Sequence, residues 1–208
     1  MTAARRRLII VSGLPCTGKS TLGRYLAHEL GLPILHKDAI KERLFDELGW
    51  SNRAWSKRLS QASNALLLDF VEASLSAGIS LVAESNFGRE NTSRLNDLLT
   101  HYKAQAVQIH CTAAPEVVFE RFQQRVIRQE RHPGHVDAEY LPELAQLLQQ
   151  PTLALPLPLA AELTVLTLTV NTTPSPEVAS TSVASTSVEA APAAWPSVLA
   201  AIQAVLAD

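Results

Sequence analysis

Gly13-Leu-Pro-Cys-Thr-Gly-Lys19-Ser20-Thr21 fills every fixed position of the pattern G-x-x-x-x-G-K-[ST]. Its chemistry is phosphate binding. Two glycines let the backbone wrap around phosphate oxygens so that successive N–H groups point inward. Lys19 adds a full positive charge, and the start of a following helix adds a partial one. Ser20 is placed to offer a hydroxyl to Mg²⁺. Gly13, Cys16, Thr17, Gly18, Lys19, Ser20 and Thr21 are therefore the residues expected around a nucleoside triphosphate.

Three further groups of residues are candidates for chemistry. Asp38 stands where a short apolar run meets a helical pattern. One reading is an N-cap, which typically contributes ~1 kcal/mol. The other is a carboxylate at the carboxyl edge of a parallel sheet, placed to accept a proton from an attacking hydroxyl. The two roles are compatible. Glu84 ends a strand-like run, where an acid can hold Mg²⁺ through water or fix an acceptor; Asn86, Arg89 and Arg94 follow it as candidate acceptor contacts. Arg121, Arg125 and Arg128 recur at i, i+4 and i+7 beside the apolar stripe Val118, Phe122, Val126. Such a row is ordinarily a solvated flank paired with acids, in this chain Glu116, Glu120 and Glu130. Beside a triphosphate it reads as a lid that places guanidinium charge on oxygens gaining negative charge. Arg131 joins the row if the helix continues. His132 and His135 lack the further ligands that a zinc spacing needs.

Elements to position these groups are legible around them. Leu8-Ile-Ile-Val11 predicts a buried strand, and Leu22, Tyr25, Leu26 and Leu30 a helix ended by Gly31. Leu32–His36 predicts a second strand, with Ile40, Leu44, Phe45 and Leu48 on a helix closed by Gly49. Trp50 and Trp55, among Arg53, Lys57 and Arg58, are expected to pack the helix pair, with stacking in an acceptor pocket as the alternative. The next helix carries Leu59, Ala62, Leu66, Phe70 and Ala73 as its predicted core stripe, with Leu67, Val71 and Leu75 beside it. Strands follow at Ile79–Glu84, Ala106–Cys111 and Leu163–Val170, and helices at Pro115 and at Leu141–Leu148. The Val-Ala-Ser-Thr-Ser repeat at 178–187 predicts a flexible insertion, about 174–192, before a terminal helix near 196–207.

Composition sets the outer limits. A chain of 208 residues, 47% hydrophobic and with net charge −2, suits one α/β domain, and its near-neutral charge disfavours a broad nucleic-acid surface. Cys16 and Cys111 lie far apart, one of them inside the phosphate loop, so a reducing cytoplasm is expected. No apolar run is long enough to span a membrane.

The loop together with His36-Lys-Asp-Ala-Ile-Lys-Glu-Arg-Leu-Phe45 resembles the small P-loop kinases of the AAA_33 type. This group is similar to the kinase domain of phage polynucleotide kinase, chloramphenicol phosphotransferase and the zeta toxins. The resemblance covers roughly residues 8–173 and implies a three-layer fold with a five-stranded parallel sheet, order 2-3-1-4-5, and a helical lid near 115–140. It implies ATP and Mg²⁺ as partners, Asp38 as general base, Lys41 against the acceptor or its phosphate, Arg125 and Arg128 as catalytic lid arginines, and Arg121 and Thr172 beside the nucleotide. Lys41 replaces the arginine of the polynucleotide kinases, which turns the expectation towards a small hydroxyl-bearing acceptor. Two rivals remain: a polynucleotide 5′-hydroxyl kinase reading a groove of Lys41, Arg43, Arg53 and Arg58, and a nucleotide-binding switch without transfer.

Overall fold

The computed structural model describes residues 6–150, 155–173, 187–189 and 195–206. Strand β1 (Arg7–Gly13) leads through the phosphate loop into helix α1 (Lys19–Leu30). Then come β2 (Ile34–His36), α2 (Lys37–Leu48), α3 (Arg53–Ser76), β3 (Leu81–Glu84), α4 (Thr92–His101) and β4 (Gln105–Thr112). The remainder is α5 (Pro115–Arg128), α6 (Asp137–Leu147), β5 (Thr164–Asn171), β6 (Ser187–Glu189) and α7 (Trp195–Leu206). All pairings are parallel, and the first five strands take the expected order 2-3-1-4-5. A short sixth strand extends the sheet beyond β5, within the stretch expected as an insertion. Most of the Val-Ala-Ser-Thr-Ser repeat lies outside the described residues.

The sheet is covered on both faces, as a parallel sheet requires. Along β1, Leu8 and Ile10 face a layer built by α3 and α4, whereas Ile9 and Val11 face α1 and α7. Alternation by two thus splits one strand between two cores. Gly31 ends α1 at φ 63°, a left-handed position that suits glycine. In α7, Val198 and Ile202 are buried against the β1–β4–β5 side, with Leu199 and Leu206 partly buried beside them.

Helix α3 corrects an expectation. The buried stripe is Leu59, Ser63, Leu67, Val71 and Leu75, while Leu66 and Phe70 of the predicted stripe are exposed, Phe70 by 52%. Both stripes are apolar, and the sheet covers only one of them. No helix among the described residues is long and apolar enough to cross a membrane.

Candidate active site

Strand register brings the site together. His36 lies opposite Glu84, Glu84 opposite Val11, and Gly13 opposite Cys111, so β2, β3, β1 and β4 end at one edge. Gly13 sits at φ 140°, and a Cβ there would fall 2.2 Å from the Cys111 carbonyl oxygen. Only glycine lets the loop leave the sheet that close to β4. Cys16 and Gly18 both take left-handed φ, 62° and 79°, and the Thr17 hydroxyl donates to Leu14 O at 2.8 Å. Lys19 Nζ donates to Leu14 O at 3.2 Å and lies 3.8 Å from Glu84, which is itself buried. The loop is thereby curled with its lysine folded back over it.

Asp38 does not cap α2. The helix begins at Lys37 directly from β2, His36 occupies the cap position, and Asp38 falls in the first turn. Its carboxylate accepts instead from Arg131 Nη2 at 2.5 Å. Burial acts to raise its pKa, but Arg131, Lys37, Lys19 and His135 outweigh burial and hold the carboxyl well below the usual carboxylate range. Asp38, Lys19, Ser20, Lys41, Glu84, Asn86 and Arg125 all line one cavity of about 570 Å³. That volume is within the range of small-ligand sites.

The turn that follows α5, within the segment expected as a lid, lies against α2 and α3. Helix α5 stops at Arg128 because Gln129 turns left-handed at φ 52°. Arg131 therefore does not continue the helical row, yet the turn that follows carries it to Asp38 and to Asp137, at 3.3 Å. His132 stacks on Phe45 with ring centroids 5.1 Å apart, and His135 Nε2 lies 2.8 Å from Glu42. Gly134 passes so close that a Cβ would meet the Phe45 ring at 2.6 Å. The arginines of α5 part company. Arg125 is an ion-pair partner of Asp137 at 3.4 Å, and its buried Nε and Nη2 have no hydrogen-bond partner. Arg121 bonds Cys16 O, Thr172 Oγ1 and Thr172 O, stapling the loop to the end of β5. Arg128 is exposed beside Glu130.

A second cavity, of about 880 Å³, adjoins the first across Cys16, Gly18, Thr21, Arg125 and Glu130. Its far side is Val117, Thr172, Thr173 and Trp195, giving a partly apolar wall at the end of β5. Arg121 and Arg128 line this cavity and not the first. Among the remaining expected acceptor contacts, Arg89 is exposed and lines neither cavity, and Arg94 pairs with Asp69 on α3. Trp50 and Trp55 also line neither; Trp55 Nε1 donates to Gly49 O, in keeping with packing at the helix junction.

Several residues at the site escaped the sequence reading. His36 Nδ1 is 2.9 Å from Glu84 Oε2, and Lys37, Asp137 and Tyr140 line the cavity. The adjacency of His36 and Lys37 to Asp38 was a usable signal. Asp137 and Tyr140 had none, since α6 reaches the site only through the turn after α5. No group of three or more His, Cys, Asp or Glu suited to a metal exists among the described residues. Ser20 and Glu84 both line the first cavity, a hydroxyl and a carboxylate that could hold a cation.

A curled glycine-rich loop at the carboxyl edge of a 2-3-1-4-5 sheet, opening into a cavity lined by Lys19, defines the P-loop kinase fold. The AAA_33 family model, described as an AAA domain, matches residues 8–151, and the chain belongs to that family. It is similar to a Chloroflexus aurantiacus protein provisionally described as a kinase. The two share 33% identity and a TM-score of 0.78, over 96% of this chain and 97% of that one. It is also 30% identical over 117 residues to a shikimate kinase of Paracidovorax citrulli. That match spans 51% of this chain and 56% of the relative.

Proposed function

We propose that the chain is an ATP-dependent phosphotransferase that moves the γ-phosphoryl group to a hydroxyl of a small molecule. The acceptor oxygen attacks the γ-phosphorus, the bond from that phosphorus to the bridging oxygen of ADP breaks, and Asp38 takes the hydroxyl proton. The observation that carries this reading is that Asp38 and Lys19 line the same cavity. Lys19 and the amides of Gly13–Thr21 hold the phosphates. Thr172 and Trp195 line the cavity in which the nucleoside end would lie.

Ser20 and Glu84 would hold Mg²⁺, which supplies charge neutralisation at the phosphate oxygens when bound. His36 and Lys19 keep the Glu84 carboxylate in place. Arg125 has donors to spare for phosphate oxygens, and Arg131 reaches the acceptor side directly, so these two take the charge-stabilising part that the family resemblance implied for Arg125 and Arg128. Arg131 must loosen from Asp38 for the carboxylate to act as a base, and oxygens gaining charge at the γ-phosphorus are the natural competitor for it. A small acceptor is favoured over a polynucleotide because Lys41 and Arg53 line the cavity, whereas Arg43 and Arg58 do not.

The test is incubation with γ-labelled ATP and separate panels of metabolites, antibiotics and 5′-hydroxyl oligonucleotides. Label is expected on a small alcohol. Label on oligonucleotides alone would support the rival kinase, and hydrolysis without transfer the switch. Lys19→Ala is expected to weaken ATP binding by about tenfold or more in calorimetry. Unchanged affinity would contradict the loop assignment.

A further inference from the structure

The family match ends at residue 151, well before α7, yet the first residue of that helix stands at the wall of the second cavity. Trp195 lines it together with Gly18 and Thr21 of the phosphate loop and Val117 and Arg121 of α5. Among the described residues that line this cavity, Trp195 is the one aromatic. Its indole is half-buried and is held from α1, where the Tyr25 ring packs against it with centroids 5.3 Å apart and planes tilted by 43°. Tyr25 does not itself line the cavity, so it backs the indole without taking up the space in front of it. A nucleotide with its phosphates in the loop thus has one broad aromatic surface within reach of its base.

The polar groups at the end of β5 are engaged with one another. Thr172 N donates to Thr112 O at 2.8 Å, and Thr173 N donates to Asn171 Oδ1 at 3.0 Å. The Thr172 hydroxyl donates to Thr17 O at 3.1 Å, and the Thr173 hydroxyl accepts from Ala114 N at 2.7 Å. Arg121 is taken up by Cys16 O and Thr172. Of the other polar side chains that α5 adds, Glu120, Gln124 and Arg128 are exposed, and Arg125 pairs with Asp137. A site rejects a close analogue strongly only when the analogue leaves a buried donor or acceptor unpaired. Exchanging the amino group of adenine for the oxo group of guanine leaves none unpaired among these residues. Stacking is open to every base, because every base has a π-face, and a two-ring purine offers more of it than a pyrimidine. From Trp195 backed by Tyr25, in a cavity whose buried polar groups are already paired, we infer that the donor's base is held by its face and not by its edge. Trp195 is the residue it stacks on, and the donor site takes purine nucleoside triphosphates as a class, GTP as well as ATP. The inference rests on the phosphotransferase reading and widens its donor.

The experiment is calorimetry on the full chain with Mg²⁺ and four probes: non-hydrolysable analogues of ATP, GTP and CTP, and inorganic tripolyphosphate, which has the phosphates and no base. The ATP and GTP analogues are expected to bind within about tenfold of each other, and the CTP analogue more weakly than either. Trp195→Ala is expected to weaken both purine analogues by about tenfold or more and tripolyphosphate by less than about twofold. Trp195→Phe keeps an aromatic face and should recover most of the lost affinity. Equal losses for tripolyphosphate and the purine analogues would make Trp195 a structural part of the fold and overturn the inference. So would a purine affinity indifferent to Trp195→Ala, a preference beyond about tenfold for one purine, or a CTP analogue that binds as tightly as the purines. Transfer of label from ATP to an alcohol, measured separately, would leave the phosphotransferase reading standing through any of these failures. Stacking confirmed by calorimetry without transfer to any alcohol would overturn that reading and not the base contact.

Discussion

At Asp38 the competition is between burial, which favours the neutral acid, and the charges of Arg131, Lys37 and Lys19 with the His135 imidazole, which favour the carboxylate; the carboxylate wins. Because its folded pKa is depressed, the ion pair with Arg131 stabilises the fold at neutral pH. That contribution is lost only as pH falls through the low folded value. The carboxylate is therefore ionised at any ordinary working pH, but it is a weak base while Arg131 holds it. Arg131→Gln removes the leading cation and lets burial count for more. The acid limb of the pH–rate profile is expected to move up by about one pH unit or more. A limb that stays put would show that Arg131 does not set the state of Asp38. Little of this was legible in the sequence. The phosphate loop is local and spells itself out from Gly13 to Thr21, whereas Arg131 meets Asp38 across 93 positions and His36 meets Glu84 across 48. Such pairings exist only once the sheet and the turn after α5 are in place.

At the scale of elements, periodicity located most of the helices and strands, α4 and β6 excepted, but not always their buried faces. Helix α3 carries two apolar stripes, and only the packing of α2, α4 and the sheet selects Leu67, Val71 and Leu75 over Leu66 and Phe70. Leu67→Ala should destabilise the protein by about 2–5 kcal/mol, while Leu66→Ala should cost less than about 1 kcal/mol. Denaturant unfolding measures both, and equal losses would contradict the assigned face. The end of α5 was illegible for another reason. Its left-handed residue is Gln129, not the glycine that normally marks such a stop, so the arginine row looked longer than the helix that bears it.

For the molecule as a whole, strand order brings distant residues to one edge and so determines what chemistry is available. β2, β3 and β1 end side by side, delivering Asp38, Glu84 and the phosphate loop to a single cavity, while the turn between α5 and α6 closes its far side. The order itself followed from the family resemblance, not from any spacing within the chain. The central claim is that Asp38 accepts the acceptor's proton during transfer from a nucleotide held by the loop. Asp38→Asn keeps the shape of the side chain and removes its basicity. Paired measurements of labelled phosphoryl transfer and of ATP affinity test the claim most directly. Transfer is expected to fall by about 10²–10⁴-fold with ATP affinity nearly unchanged. Transfer within a few-fold of wild type would contradict it.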